Sequence, residues 1–207
     1  KLSEHLEKGK VEETAEATRA AIDEGLGAKI ILDDGLIAGM AVVGEKFKKH
    51  EIFLPDVLLA AKAMYAGMDL LKPLLIRDGI PTIGKVVIGT VQGDLHDIGK
   101  NLVGIMLKGA GFEVIDLGRD VAPEKFIEAV EETGAEVIGM SALLTTTMPA
   151  MKKTVDLARE KGLFGKIKIL VGGAPLSKEY AKEIGADAYC YDGMNAVDCV
   201  KKFIGAA

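Results

Sequence analysis

Two hydrophobic rhythms divide the chain. Over residues 1 to about 76 apolar positions recur at helical spacing: Leu36, Met40, Val43 and Phe47 fall on one stripe, and Val57, Ala61, Met64, Met68 and Leu71 form another. Ala15 to Ile22, between Glu-rich flanks, reads as a further helix, and Pro55 suits the first turn of one. Breaks near Gly25, Gly35 and His50 predict a compact bundle of about four helices. The stretch Arg77-Asp-Gly-Ile-Pro-Thr-Ile-Gly84 is rich in turn residues and reads as a linker over 77–84. Beyond it, apolar strand-like runs alternate with helical patterns. Strands are predicted at 85–91, 113–117, 136–141, 167–172 and near 187–190, with helices at about 98–109, 123–132, 147–161, 177–184 and 194–204. The predicted fold class is therefore α/β: an N-terminal four-helix bundle over 1–76, then a Rossmann-like or flavodoxin-like doubly wound five-stranded parallel sheet over 85–207. Right-handed crossovers put every strand-end loop on one edge. The loops at Asp94, Leu117, Ser141 and Gly172 are expected to converge there, with the bundle over that edge and a groove between the two domains.

Composition narrows the function classes. At 207 residues and 49% hydrophobic content the chain can bury real cores. Residues 1–80 carry 11 Lys and Arg against 14 Asp and Glu, and the rest 15 against 17, so neither half has the basic footprint of a nucleic-acid binder. Apolar runs stop short of the ~18 residues of a membrane helix, and Lys-Leu-Ser-Glu-His is no signal-peptide pattern. A cytoplasmic location, with no membrane partner, is the expectation. Cys190 and Cys199 make neither a disulfide framework nor a zinc spacing.

Candidate chemistry concentrates in Gly-Asp-Leu-His-Asp-Ile-Gly at 93–99, directly after the apolar run Lys85–Val91. An imidazole can offer one nitrogen to a metal while its other N–H donates to a carboxylate, which fixes tautomer and orientation. Asp94 and His96 are two apart, so an extended segment puts them on one side, and Gly99 leaves room at the start of the next helix. By themselves the three residues also suit an exposed loop histidine with Asp94 or Asp97 capping a helix. Gly89 to Gly93 is not Gly-x-Gly-x-x-Gly, and Gly99-Lys100 is followed by Asn101, so neither phosphate-binding fingerprint is present.

The Asp-x-His-x-x-Gly loop, with Gly139-Met-Ser-Ala-Leu-Leu-Thr-Thr-Thr-Met148 and Val171-Gly-Gly-Ala-Pro175 following in order, resembles the cobalamin-binding proteins of corrinoid-dependent methyltransferase systems, related to the cobalamin-binding region of methionine synthase. Ala38 to Phe47 and Glu51 to Val57 resemble the helical cap of the same proteins. The resemblance implies cobalamin, as methylcobalamin or a related corrinoid, bound base-off with His96 as lower axial cobalt ligand. It implies cofactor contacts from Asp94, Asp97 and Gly99, a wall of Ser141, Leu143 and Thr145, and room for the nucleotide tail at Gly172, Gly173 and Ala174. Asp94 would tune His96, and Thr147 stands where methionine synthases extend the relay with a serine. Residues of the bundle, among them Met40 and Phe47, would cap the upper face.

The implied activity is that of a methyl carrier, with no catalytic residue of its own beyond that relay. A substrate-specific methyltransferase would load it from a methylamine, methanol, betaine or methoxylated aromatic. A second methyltransferase would deliver to a folate or thiol, and a reductive activase is a further implied partner. A cobalamin-dependent sensor and a detached mutase-type domain are the alternatives. The acidic first half lacks a basic recognition helix, and a mutase needs a substrate barrel that this chain does not contain.

Overall fold

A computed structural model describes residues 1–80 and 82–205. Pro81 of the expected linker, and positions 206 and 207 at the end of the expected second domain, lie outside the described residues. The chain forms two compact units, Lys1–Thr82 with Gly109–Gly111, and Ile83–Lys108 with Phe112–Ala207.

The first unit is helical: α1 (Leu2–Glu7), α2 (Val11–Asp23), α3 (Ala28–Ile30), α4 (Ala38–Lys48) and α5 (Leu54–Arg77). The expected stripe packs inward, with Leu36, Met40, Val43, Val57, Met64 and Leu71 buried. Gly25 at φ +81° and His50 at φ +59° end α2 and α4 in the left-handed conformation. Gly35 differs from expectation. It interrupts nothing, because a π-helical stretch, Ile31–Ile37, carries the chain from α3 into α4. What the glycine supplies is space, since a Cβ there would stand 2.9 Å from Leu2 Cδ2. Pro73 lies inside α5 and leaves one backbone carbonyl of that helix without its usual donor.

The second unit alternates strand and helix: β1 (Lys85–Thr90), α6 (Ile98–Gly109), β2 (Glu113–Asp116), α7 (Pro123–Thr133), β3 (Val137–Ser141), α8 (Met148–Glu160), β4 (Lys168–Gly172), α9 (Lys178–Ile184), β5 (Ala188–Cys190) and α10 (Gly193–Ile204). All neighbouring strands are parallel, in the order β2-β1-β3-β4-β5. Near-continuous apolar strands follow from cover on both faces; in β1, Val86, Val87 and Ile88 are all buried. Phe126, fully buried with Val87, Ile138, Met151 and Ile169, anchors one side, and its truncation to alanine would cost about 3–5 kcal/mol. The strand order reverses between β1 and β3. At such a point the two following loops diverge to opposite faces and open a crevice beyond the strand ends.

Candidate functional site

Register brings the predicted loops to one edge. Thr90 pairs with Ser141, Ser141 with Gly172, and Gly172 with Cys190, so β1, β3, β4 and β5 end level with one another. The Val91 N–H donates to the Ser141 carbonyl at 3.0 Å and carries the β1–β3 pairing one residue further. Past this the chain turns at Gly93, φ +85°, and sends Asp94 back between the β1 and β3 loops.

Asp94 is the centre of the network and is fully buried. Its Oδ1 accepts the His96 backbone N–H at 3.0 Å and lies 2.7 Å from His96 Nδ1. Its Oδ2 accepts the Leu143 N–H at 2.7 Å, the Leu144 N–H at 3.2 Å and the Thr147 hydroxyl at 2.8 Å. Burial alone pushes the Asp94 carboxyl upward, yet the donors from Leu143, His96 and Thr147 outweigh it and hold the group well below the usual carboxylate range. An ionised Asp94 can only accept, so Nδ1 of His96 carries the proton of this bond, and the tautomer it selects has its lone pair on Nε2. The imidazole is 51% exposed. Its backbone is held as well, because the Thr90 hydroxyl donates to the His96 carbonyl at 3.0 Å. The arrangement presents one oriented, basic nitrogen at the topological switch point. Leu95, Leu143 and Leu144 stand exposed on the same two loops, and Ile98 is exposed at the start of α6.

The remaining predicted residues divide by distance from this network. Thr147 takes the N-cap position of α8, but its hydroxyl turns to Asp94 and, at 2.8 Å, to the Leu144 carbonyl rather than capping the helix. The single hydroxyl proton goes to one of these acceptors at a time. Asp97 accepts the Asn101 N–H at 2.8 Å through its carbonyl and so starts α6, and exposed Gly99 has open space where a Cβ would stand. Gly173, at φ +137°, lies so close to the β3 loop that a Cβ would stand 1.8 Å from the Ala142 carbonyl oxygen. Thr145 and Ala174 are exposed on their loops. Met40 is buried and Phe47 half-buried in α4 of the helical unit. Leu144, Thr90 and Asp120 belong to the network without having been singled out from sequence. Leu144 acts through its backbone, Thr90 looks like any strand residue, and Asp120 comes from the loop after β2. A cleft of about 380 Å³ beside α7, lined in part by Leu117, Arg119, Val121 and Lys125, shares Asp120 with the network. No helix of the described residues is long and apolar enough to cross a membrane.

Two family models match the chain, each described as a B12 binding domain, over residues 1–72 and 84–200. A corrinoid protein of Desulfitobacterium hafniense (strain Y51) is 44% identical over 194 residues, covering 92% of this chain and 90% of its own length. Dimethylamine corrinoid protein 1 of Methanosarcina acetivorans is 42% identical over 193 residues, with 91% of each chain covered. Among solved structures, a chain of the methanol:cobalamin methyltransferase complex from Methanosarcina barkeri matches with a TM-score of 0.90 at 32% identity, over 100% of this chain and 79% of that one.

Proposed function

Since this chain belongs to the family of corrinoid proteins built on B12 binding domains, we propose that it is a methyl carrier that holds its cofactor base-off and histidine-on, with His96 Nε2 as the lower axial ligand of cobalt. The cofactor itself is cobalamin or a related corrinoid. The observation that carries the finer reading is the pinned ring: Nδ1 is committed to buried Asp94 while Nε2 is free on a half-exposed imidazole. One imidazole nitrogen is a single ligand, so a metal that it holds brings the others with it, as cobalt in a corrin does. When bound, the corrinoid supplies a cobalt centre that accepts a methyl group and gives it up again.

The chain's own residues bind, orient and tune. Asp94 keeps the His96 lone pair on Nε2 and raises its basicity through the Nδ1 hydrogen bond. Thr147 shares its hydroxyl proton between Asp94 and the Leu144 carbonyl, and so lowers or restores the negative charge felt by the imidazole. Asp97, Gly99, Ser141, Leu143, Thr145, Gly172, Gly173 and Ala174 form the edge that would receive the lower face and nucleotide tail. Residues 1–76, with Met40 and Phe47, would form the cap, 77–84 the linker and 85–207 the cobalamin-binding domain.

A methyltransferase partner accords with the methanol:cobalamin complex among the structural relatives and with relatives named for dimethylamine and trimethylamine. The reading extends to a substrate-specific methyltransferase as donor, a second methyltransferase acting on tetrahydrofolate or a thiol, and a reductive activase. The test is anaerobic reconstitution with cobalamin, chemical reduction, and addition of methylamines or methanol with the candidate partner. Visible spectra that convert from the reduced to the methylated form, only when the partner is present, support the carrier. Full reconstitution with no methylation by any partner and donor pair overturns it.

A further inference from the structure

The loop that carries His96 is held from the β3 side by Asp94, and from the other side by the loop that follows β2. At its start, the Gly93 N–H donates to Asp120 Oδ1 at 2.7 Å, and the Asp120 N–H donates to the Asp94 carbonyl at 3.1 Å. Past its end, in the first turn of α6, Lys100 directs its ammonium to both carboxylate oxygens of Asp116, each at 2.6 Å, and to Asn101 Oδ1 at 2.7 Å. Asp116 Oδ1 also accepts the Gly118 N–H at 2.9 Å, which shapes the turn that leads to Asp120. The Thr90 N–H to Gly118 carbonyl bond, 2.9 Å, and the Val121 N–H to Thr90 carbonyl bond, 3.0 Å, tie that turn back to β1.

Two features of this arrangement have a cost in free energy. Lys100 is 5% exposed, and burying an ammonium is unfavourable unless its partners are well placed. Asp120 sits at φ +54°, a left-handed conformation that asparagine and aspartate tolerate better than other side-chain-bearing residues. Both features serve the same end, because each fixes one terminus of the segment from Gly93 to Lys100 against β2. A ligating imidazole needs its lone pair aimed to within a fraction of an ångström. Asp94 orients the ring within its loop, and the β2 side fixes that loop on the sheet.

We propose that Lys100, Asp116 and Asp120 are positioning residues that set the reach of the His96 imidazole, and through it the share of bound cobalamin that is histidine-ligated. The inference rests on the histidine-on reading above. The test uses full-length protein reconstituted with cobalamin as wild type, Asp120→Ala, Asp120→Asn, Lys100→Met and His96→Ala. Electron paramagnetic resonance of the Co(II) form, with the protein labelled with ¹⁵N-histidine and the cobalamin unlabelled, gives the ratio of histidine-on to histidine-off cofactor, while bound cobalamin per chain and thermal melting are followed in parallel.

Asp120→Ala removes the Gly93 acceptor and is expected to lower the ratio about tenfold, as for the loss of a hydrogen bond to a charged group. Asp120→Asn keeps an acceptor oxygen and tolerates the same φ, so it restores the ratio to near wild type. Lys100→Met leaves Asp116 to solvent and lowers the ratio as well; it decides the matter if Asp120→Ala does not fold. A ratio unchanged in Lys100→Met and in folded Asp120→Ala, while His96→Ala abolishes the two-line ¹⁵N splitting, overturns the positioning role and leaves the histidine-on reading intact. A two-line ¹⁵N splitting that survives in His96→Ala overturns both.

Discussion

Replacing Asp94 by asparagine removes a charge and turns one acceptor oxygen into a donor with almost no change of shape. Either placement of the amide conflicts with the network. With nitrogen on the Oδ2 side, the Leu143 and Leu144 N–H groups, now bonded at 2.7 and 3.2 Å, both lose their acceptor. With nitrogen on the Oδ1 side, the His96 N–H alone is orphaned, but Nδ1 must then accept, which moves the ring proton to Nε2. At about 1–3 kcal/mol for each donor left without a partner, the first placement costs about 2–6 kcal/mol and the second about 1–3 kcal/mol, so the second prevails. At about 2–4 °C per kcal/mol for a chain of this size, Asp94→Asn is therefore expected to lower the Tm of the apoprotein by about 2–12 °C. It also occupies with a proton the nitrogen assigned to cobalt. Circular-dichroism melts give the first quantity, and Co(II) electron paramagnetic resonance gives the loss of axial histidine nitrogen. Total cobalamin bound, which the tail loops carry, falls less than the histidine-on fraction. An unchanged Tm together with an undiminished histidine signal would refute the reasoning.

Three further outcomes are expected. Thr147→Val removes the hydroxyl donor to Asp94 at constant volume and costs about 1 kcal/mol in urea unfolding, whereas Thr147→Ser costs less; a loss in Thr147→Ser with none in Thr147→Val would show that the methyl group matters and the hydroxyl does not. Gly173→Ala forces a Cβ into the Ala142 carbonyl at a φ of +137° and destabilises by on the order of 3 kcal/mol, with weaker cobalamin retention; a urea midpoint equal to wild type contradicts this. Because Asp94 is held below its ordinary range when folded, its stabilising contribution is complete above about pH 4 and is lost as pH falls towards the folded value. The Tm gap between wild type and Asp94→Asn should accordingly narrow on acidification below about pH 4, and a gap that stays constant would rule out that contribution.

The central strands of the sheet were legible because they are buried on both faces and so lack the polar interruptions that make a strand ambiguous. Lys85–Thr90, Val137–Ser141 and Lys168–Gly172 each lie within a residue of the ranges read from sequence. Gly35 was not legible, since a glycine that ends a helix and one that lets Leu2 approach look the same along the chain. In the candidate site, Asp94, His96 and Thr147 were named from sequence, and the structure joins them in one hydrogen-bonded network. The Leu143 and Leu144 contributions were not, because both donate through backbone N–H groups that any residue carries. Asp120 was hidden for a different reason: its partner Gly93 lies 27 residues away, and only the β1–β2 pairing brings the two together.

The most direct test of the account is the axial nitrogen itself. Protein grown with ¹⁵N-labelled histidine and reconstituted with unlabelled cobalamin is reduced to Co(II), and its electron paramagnetic resonance spectrum is compared with that of unlabelled protein. If His96 is the lower ligand, the axial splitting changes from the three lines of ¹⁴N to the two lines of ¹⁵N, and the change disappears in His96→Ala. Three lines in both samples would place the cofactor's own base, rather than His96, on cobalt.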